Sequence, residues 1–331
     1  MSSAVGERGA APRWPTVAVW GGAALLVVVG FVVTVAALNA TVYSAAGFAR
    51  GYVDAVDRGD TSSALTLAGV EKTDELEDAL LDVPSLGGLE DVHELSQLEL
   101  GDGTRTVTLG YTLDGVPAQS QFVVQRAGTR FGVFRAWRFA QAPTAILAVT
   151  PEHDSRFTVD GRSVTTAGGD VATRFEVLAP SRFELSHSST YLEAPAVEAS
   201  VLSVGASSSA TVATVARASF SAELQQQLDD QLDDSCVPQT VLLPAGCPFG
   251  RQVDDRVTGT PTWSMVDYPQ LVVEPSSTPG QWLVRDVPGT AHLVVEAQSL
   301  FDGVPYTIDE DVPFTVSYDM TISPDDQITF G

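Results

Sequence analysis

The residues with most chemical potential are Cys236 and Cys247, the two cysteines of a 331-residue chain, in the stretch DDSCVPQTVLLPAGCPFG. Four chemistries are open to sulfur at this spacing: metal ligation, redox exchange, lipid attachment and a disulfide. Two thiolates make a poor zinc site, and neither a C-x-x-C spacing nor a nearby histidine adds ligands. A redox pair favours C-x-x-C at a helix N-terminus, whereas Cys236 closes a predicted helix. PAGC at 244–247 resembles a lipobox only loosely, with Pro244 in the usual leucine position and the motif deep in the chain. The reading is a disulfide, Cys236 to Cys247, whose loop of about 12 residues constrains the unfolded chain by roughly 3 kcal/mol.

Other constellations fail on spacing. His93, His153, His187 and His292 are dispersed, with no second His or Cys at ligand distance in sequence. There is no G-x-S-x-G, no G-K dipeptide for a phosphate loop, and Lys72 has Gly69 where an S-x-x-K pair needs serine. Gly101-Asp102-Gly103 begins like a nucleotide loop, but Thr106 replaces the third glycine and a strand follows. DDQLDD at 229–234 is predicted helical and lacks the turn glycine of a calcium loop, so it reads as a solvated face. No catalytic residue, cofactor site or metal ligand is expected. One position departs from bland patterning: a predicted strand over 131–139 puts Phe131, Val133, Trp137 and Phe139 on one face with Arg135 among them. An inward arginine is costly unless it is paired or lines a wet pocket, so Arg135 and Trp137 are a candidate ligand pocket. The competing reading is a strand that twists Arg135 to the rim, or a structural ion pair.

The elements that position these groups begin with residues 16–38, 23 residues without a charge. As a helix they rise about 1.5 Å each and can cross roughly 30 Å of hydrocarbon. A cleaved signal peptide is the competing reading, but its apolar core is usually about 7 to 15 residues, and no clean A-x-A site follows Leu38. Arg8 and Arg13 precede the segment and keep the 1–15 tail in the cytoplasm, with Trp14 and Trp20 at the interface. The protein is then a single-pass cell-membrane protein with its bulk outside. The formal net charge is −24, and the part beyond residue 40 holds 16 basic against 41 acidic side chains. That balance argues against nucleic acid or an anionic lipid surface as partner and favours cationic groups. Seventeen Arg against one Lys looks like a high-GC bacterial coding bias.

Three tandem exported domains are expected, an α+β class overall. Over 44–142, helices are predicted at SAAGFARGYVDAVDR, TSSALTLAG and TDELEDALL, followed by an antiparallel sheet with a hairpin at Asp114-Gly115. Gly59 ends the first helix and Asp60 caps the next, so Arg58-Gly59-Asp60 needs no adhesion role. Residues 143–218 read as a small all-β module with a turn at Asp160-Gly161. Residues 219–331 read as a second helix-plus-antiparallel-sheet domain, its helix capped by Ser221 and ridged by Phe220, Leu224, Leu228, Leu232 and Cys236 at intervals of four. Strands are predicted at TWSMV, QLVVE, QWLVR and AHLVVEA. DGVP occurs at both 114–117 and 302–305, weak support for a duplication.

This order resembles the bacterial envelope proteins related to TcaA. GFARGYVDAVDRGDTSSALTL with FVVQRAGTRFGVFRAWRF is similar to an NTF2-like or cystatin-like exported domain. FTVDGRSV with VLAPSRFELSHSSTYLEA is similar to the small β modules of that group. The zinc ribbon often found at the N-terminus of the group is absent, since no cysteine precedes the apolar segment. The resemblance implies a non-enzymatic envelope role, binding or scaffolding an envelope protein or cell-wall component, and carries over no catalytic residue. The alternatives are an NTF2-like small-molecule binder or enzyme using the first domain's cavity, and a structural spacer for a partner membrane protein.

Overall fold

The computed structural model describes residues 14–70 and 78–330. The tail at 1–13, Lys72 and most of the predicted TDELEDALL helix lie outside the described residues; Asp78 to Leu81, its end, form turns. The class is mixed α+β, with one N-terminal apolar helix followed by antiparallel sheets.

Helix α1, Trp14–Ala40, is long and apolar enough to cross a membrane, properties that a signal sequence shares. Helix α2, Ala45–Asp57, starts where the Ser44 side chain accepts from Gly47 N. Its Ala45, Ala49, Tyr52, Val53 and Val56 form the buried face anticipated from the helical period. Gly59 is left-handed (φ 66°), and Asp60 caps α3, Thr61–Ala68, by accepting from Ser63 N at 3.1 Å. Both helices belong to the core above a meander of β1 (Leu89–Gly101), β2 (Thr104–Leu113), β3 (Val116–Arg130) and β4 (Phe134–Phe139), in that spatial order. Asp114 and Gly115 both have positive φ, the geometry a two-residue hairpin needs. The Gly101-Asp102-Gly103 segment is likewise a hairpin turn, all three residues left-handed.

The last hairpin corrects the sequence reading. Phe131 and Gly132 are the turn, with φ of 53° and 75°, so the strand begins at Phe134 and not at Phe131. Phe131 is 84% exposed and shares no core face with Phe139. Gly132 is the residue that permits the turn. Ala127-Gly128 forms a bulge within β3.

The middle module is a β-sandwich. One sheet holds β5 (Thr144–Glu152), β8 (Thr173–Leu178) and β11 (Ser207–Ala213), in the order β11-β5-β8. The other holds β6 (Arg156–Val159), β7 (Arg162–Thr165), β9 (Ser181–Ser188), β10 (Leu192–Val201) and the two-residue β12, Val215–Ala216. Asp160-Gly161 makes the β6–β7 turn. β11 runs parallel to β5, a pairing that no local pattern announces. The sandwich core also takes in Leu80 and Val83 from the segment before β1.

Helix α4, Ala218–Gln231, continues into a π-helical turn, Leu232–Cys236, and buries Phe220, Leu224, Leu228, Leu232 and Cys236 as the four-residue spacing requires. Its N-cap is Arg217, without a side-chain cap, so Ser221 lies inside the first turn and does not cap the helix. The remaining strands are β13 (Arg256–Val257), β14 (Thr262–Asp267), β15 (Glu274–Pro275), β16 (Gln281–Gln298), β17 (Pro305–Ile322) and β18 (Ile328–Phe330). QWLVR and AHLVVEA are one continuous strand: a bulge at Arg285-Asp286, where the Ser317 hydroxyl accepts from Asp286 N, keeps Val287 to Gly289 in the ladder. QLVVE is not a full strand. Gln225 of α4 accepts from Leu271 N within it at 2.8 Å and donates to Pro269 O, just before it, at 2.9 Å. The second DGVP also differs from the first. Asp302 and Gly303 lie in the longer connection between β16 and β17, where only Gly303 is left-handed.

The modules meet through polar contacts, some of them buried. The Tyr52 hydroxyl is 3.0 Å from both Pro143 O and Ala179 O, joining the first module to the second. Arg182 pairs with Asp114 at 3.1 Å at the same junction. Between second and third, Arg156 grips both Asp154 oxygens at 3.0 and 2.8 Å and reaches Asp326 at 3.1 Å, while Asp326 accepts from Thr190 N. A core shared by Leu192, Phe220, Leu224, Trp282 and Met320 lies behind this network.

Candidate functional site

The sheet of the first module has a chemical gradient along its helix-facing side. Side chains alternate, so Val107, Leu109 and Tyr111 of β2 share that side, as do Phe122 and Val124 of β3 and Phe139 of β4. Two residues further toward the Gly101–Gly103 turn, the same side carries Arg105 and Arg126, beside Trp137 and then Arg135 of β4. The apolar face therefore gives way to a basic end where the helical cover stops.

That end adjoins α1. Asn39 donates to Val133 O at 2.9 Å and accepts from Arg135 N at 2.7 Å, clamping the β3–β4 hairpin to the last helical turn. Tyr43 stacks on Phe134 with centroids 4.3 Å apart, and the Trp137 indole donates to Tyr43 O at 3.0 Å. The Arg105 guanidinium lies 5.4 Å from the centre of the Trp137 ring and is paired with Glu99 at 3.3 Å.

Arg135 and Trp137 are thus brought together, but not as an enclosed pocket. A groove of about 460 Å³ runs past them between Tyr43, Phe48, Leu67 and Arg130, and a smaller hollow of about 90 Å³ lies between Glu99, Arg105 and Arg126. Arg135 is exposed at the rim of an edge strand, which is the competing reading of the strand pattern and not the inward-facing one. The neighbouring arginines were missed because the pairing of β2, β3 and β4 that brings them together is not a local pattern. Their signal was present: from Thr104 to Phe139 the chain has five arginines and one carboxylate, Asp114.

Cys236 and Cys247 lie with their Sγ atoms 2.08 Å apart, at disulfide distance, in the third module and far in sequence from this groove. The intervening loop is clipped again by Gln239, which donates to Ser235 O and Ala245 O and accepts from Ala245 N. Two of the DDQLDD carboxylates are engaged in hydrogen bonds, Asp229 accepting from Gln225 and Asp233 from Tyr268. Among the described residues no three His, Cys, Asp or Glu are grouped to hold a metal ion.

Two histidines sit in opposite environments. His187 is buried with Asp154, 3.7 Å away, and burial lowers its pKa against the pull of that carboxylate. His292 is held between Asp311 at 2.8 Å and Asp309 at 3.2 Å, and these partners raise its pKa, Asp311 foremost. Comparison of the chain with family models, curated proteins and solved structures finds no match.

Proposed function

We propose that the chain is a single-pass envelope protein held by α1, and that its exported modules bind or scaffold a surface component without catalysis. This is the role its resemblance to the TcaA-related proteins implies. The observation that carries the reading is the pair of locked junctions, Tyr52 with Ala179 and Arg156 with Asp326, which hold the third module in a set position relative to the helix. That module has 18 acidic residues and three arginines beyond residue 218, a strong field for a cationic partner. At the far end of its β16–β17 hairpin the connecting loop exposes Leu300 (71%) and Phe301 (99%), an apolar contact point within the acidic surround. The open groove at Arg135 weighs against a small-molecule enzyme, whose pocket buries most of its ligand.

The test is a photocrosslinking residue at position 301 of the full-length chain in intact envelopes, alongside a reporter active only outside the cytoplasm fused after residue 60. The expected result is an active reporter and a discrete adduct, weakened by salt and by Asp309→Asn with Asp311→Asn. A reporter silent at residue 60 overturns the topology. Absence of any salt-sensitive adduct overturns the binding role.

A further inference from the structure

The geometry points to a second membrane contact beside α1: the membrane end of the first module is an adhesion surface for anionic phospholipid headgroups, with the β3–β4 hairpin tip resting in the interface. This rests on α1 being the membrane helix.

Three observations converge. Asn39 ends the apolar segment, so the hairpin it clamps through Val133 and Arg135 sits at the level where hydrocarbon gives way to headgroups. The tip presents Phe131, 84% exposed, beside Val133, and the neighbouring edge strand β1 exposes Leu98 and Leu100 at the same end of the sheet. Apolar side chains at a loop tip are costly in water and favourable at an interface. Around them stand Arg126, Arg130, Arg135 and Arg138, all exposed, and among the described residues none has a carboxylate at ion-pair distance. Among the described residues, the acidic groups at this end are Glu99, occupied by Arg105, and Asp102 in the β1–β2 turn.

The overall charge of −24 argues against such a partner, yet charges separated by more than a Debye length, about 8 Å at physiological salt, hardly act on one another. The sheet separates them: Asp114 lies at its opposite end, paired with Arg182 of the second module. What the membrane meets is the local cluster, and exposed arginines beside an anionic surface each raise partitioning about fivefold.

The test uses the full-length chain in nanodiscs of phosphatidylcholine alone or mixed with phosphatidylglycerol, with Val133→Cys carrying a nitroxide. Expected is a label more accessible to oxygen than to a nickel chelate in the anionic discs. It returns to an aqueous ratio in neutral discs, in roughly 1 M salt where the Debye length is about 3 Å, and in Arg126→Gln/Arg130→Gln/Arg135→Gln. The triple variant should unfold at the wild-type temperature, since these side chains are exposed. One ratio in every disc overturns the proposal. So does inorganic phosphate stabilising the chain in neutral discs through the same arginines, which would make this a soluble-anion site. A chain that does not enter discs at all refutes the anchor itself, a failure seen by flotation before any label is read.

Discussion

The phenolic oxygen of Tyr52, on the first helix after the apolar segment, lies 3.0 Å from the carbonyl oxygen of Ala179, 127 residues later, and equally close to that of Pro143. One O–H hydrogen is shared between two carbonyls on the second module, in a site with no exposure of Tyr52 at all. Burial drives the Tyr52 pKa far above the ordinary phenol value, so the hydroxyl stays a donor. Tyr52→Phe keeps the ring packing against Phe122 and Phe139 and leaves both carbonyls without this donor. The expected cost is about 1–3 kcal/mol, read from denaturant unfolding.

Replacing both Cys236 and Cys247 by serine should lower stability by roughly 3 kcal/mol for a loop this short. The reduced wild type should match the variant. Two thiols that alkylate freely in the native protein would contradict the bond.

Gly289 has no room for a side chain. A Cβ there would approach Phe314 Cζ at 2.5 Å and Pro269 Cγ at 2.8 Å. Gly289→Ala should therefore destabilise by about 1–3 kcal/mol through overpacking, and the Phe314→Leu background should recover part of the loss.

His187 and His292 should titrate on opposite sides of the usual value near 6.5, measurable by NMR. The pKa of His187 is depressed in the fold, so the unfolded chain binds the extra proton first. Its contribution is complete above about pH 6.5 and is lost as pH falls toward the folded value. Asp154, Arg156, Asp326 and Arg217 all act on it, and His187→Gln should flatten the acid limb of the stability profile. His292 has the reverse sign: its contribution is present below about pH 6.5 and fades as pH rises through its raised folded value.

Arg156→Met should cost about 3–5 kcal/mol, because Asp154, only 5% exposed, is left without its cation. Asp154→Asn in the same background should restore part of this, a coupling that a purely steric loss would not show.

Legibility in the sequence followed the range of the interaction. Local rules were readable: the ridge from Phe220 to Cys236, the left-handed Asp114-Gly115 and Asp160-Gly161 turns, Gly59 stopping one helix and Asp60 starting the next. Non-local choices were not. Leu80 and Val83 join the core of a module that begins about 60 residues later, and Gln225 captures Leu271 N, which the pattern QLVVE assigned to a ladder, with Pro269 O just before it. At the groove, one misplaced boundary mattered most. With the strand begun at Phe131, Arg135 is open to an inward or a rim reading; with Phe131-Gly132 as the turn, it falls at the rim. Summed charge also conceals the local cluster, since it averages Arg105 to Arg138 with distant carboxylates.

The parallel pairing of β5 with β11 sets an order on biogenesis. β5 is complete at Glu152, but the strand that covers its outer edge ends at Ala213. At about 5–20 residues per second, synthesis leaves that edge unpaired for several seconds, with Ala145, Leu147 and Val149 beside it waiting for a closed sandwich. Open edges invite strands from other chains, so the nascent protein has a window in which a holdase is useful and crowding is hazardous. Chains truncated at residue 205 should be captured by a chaperone and cut rapidly by protease, while chains reaching residue 217 should resist; equal resistance would show that the sandwich closes without its last partner.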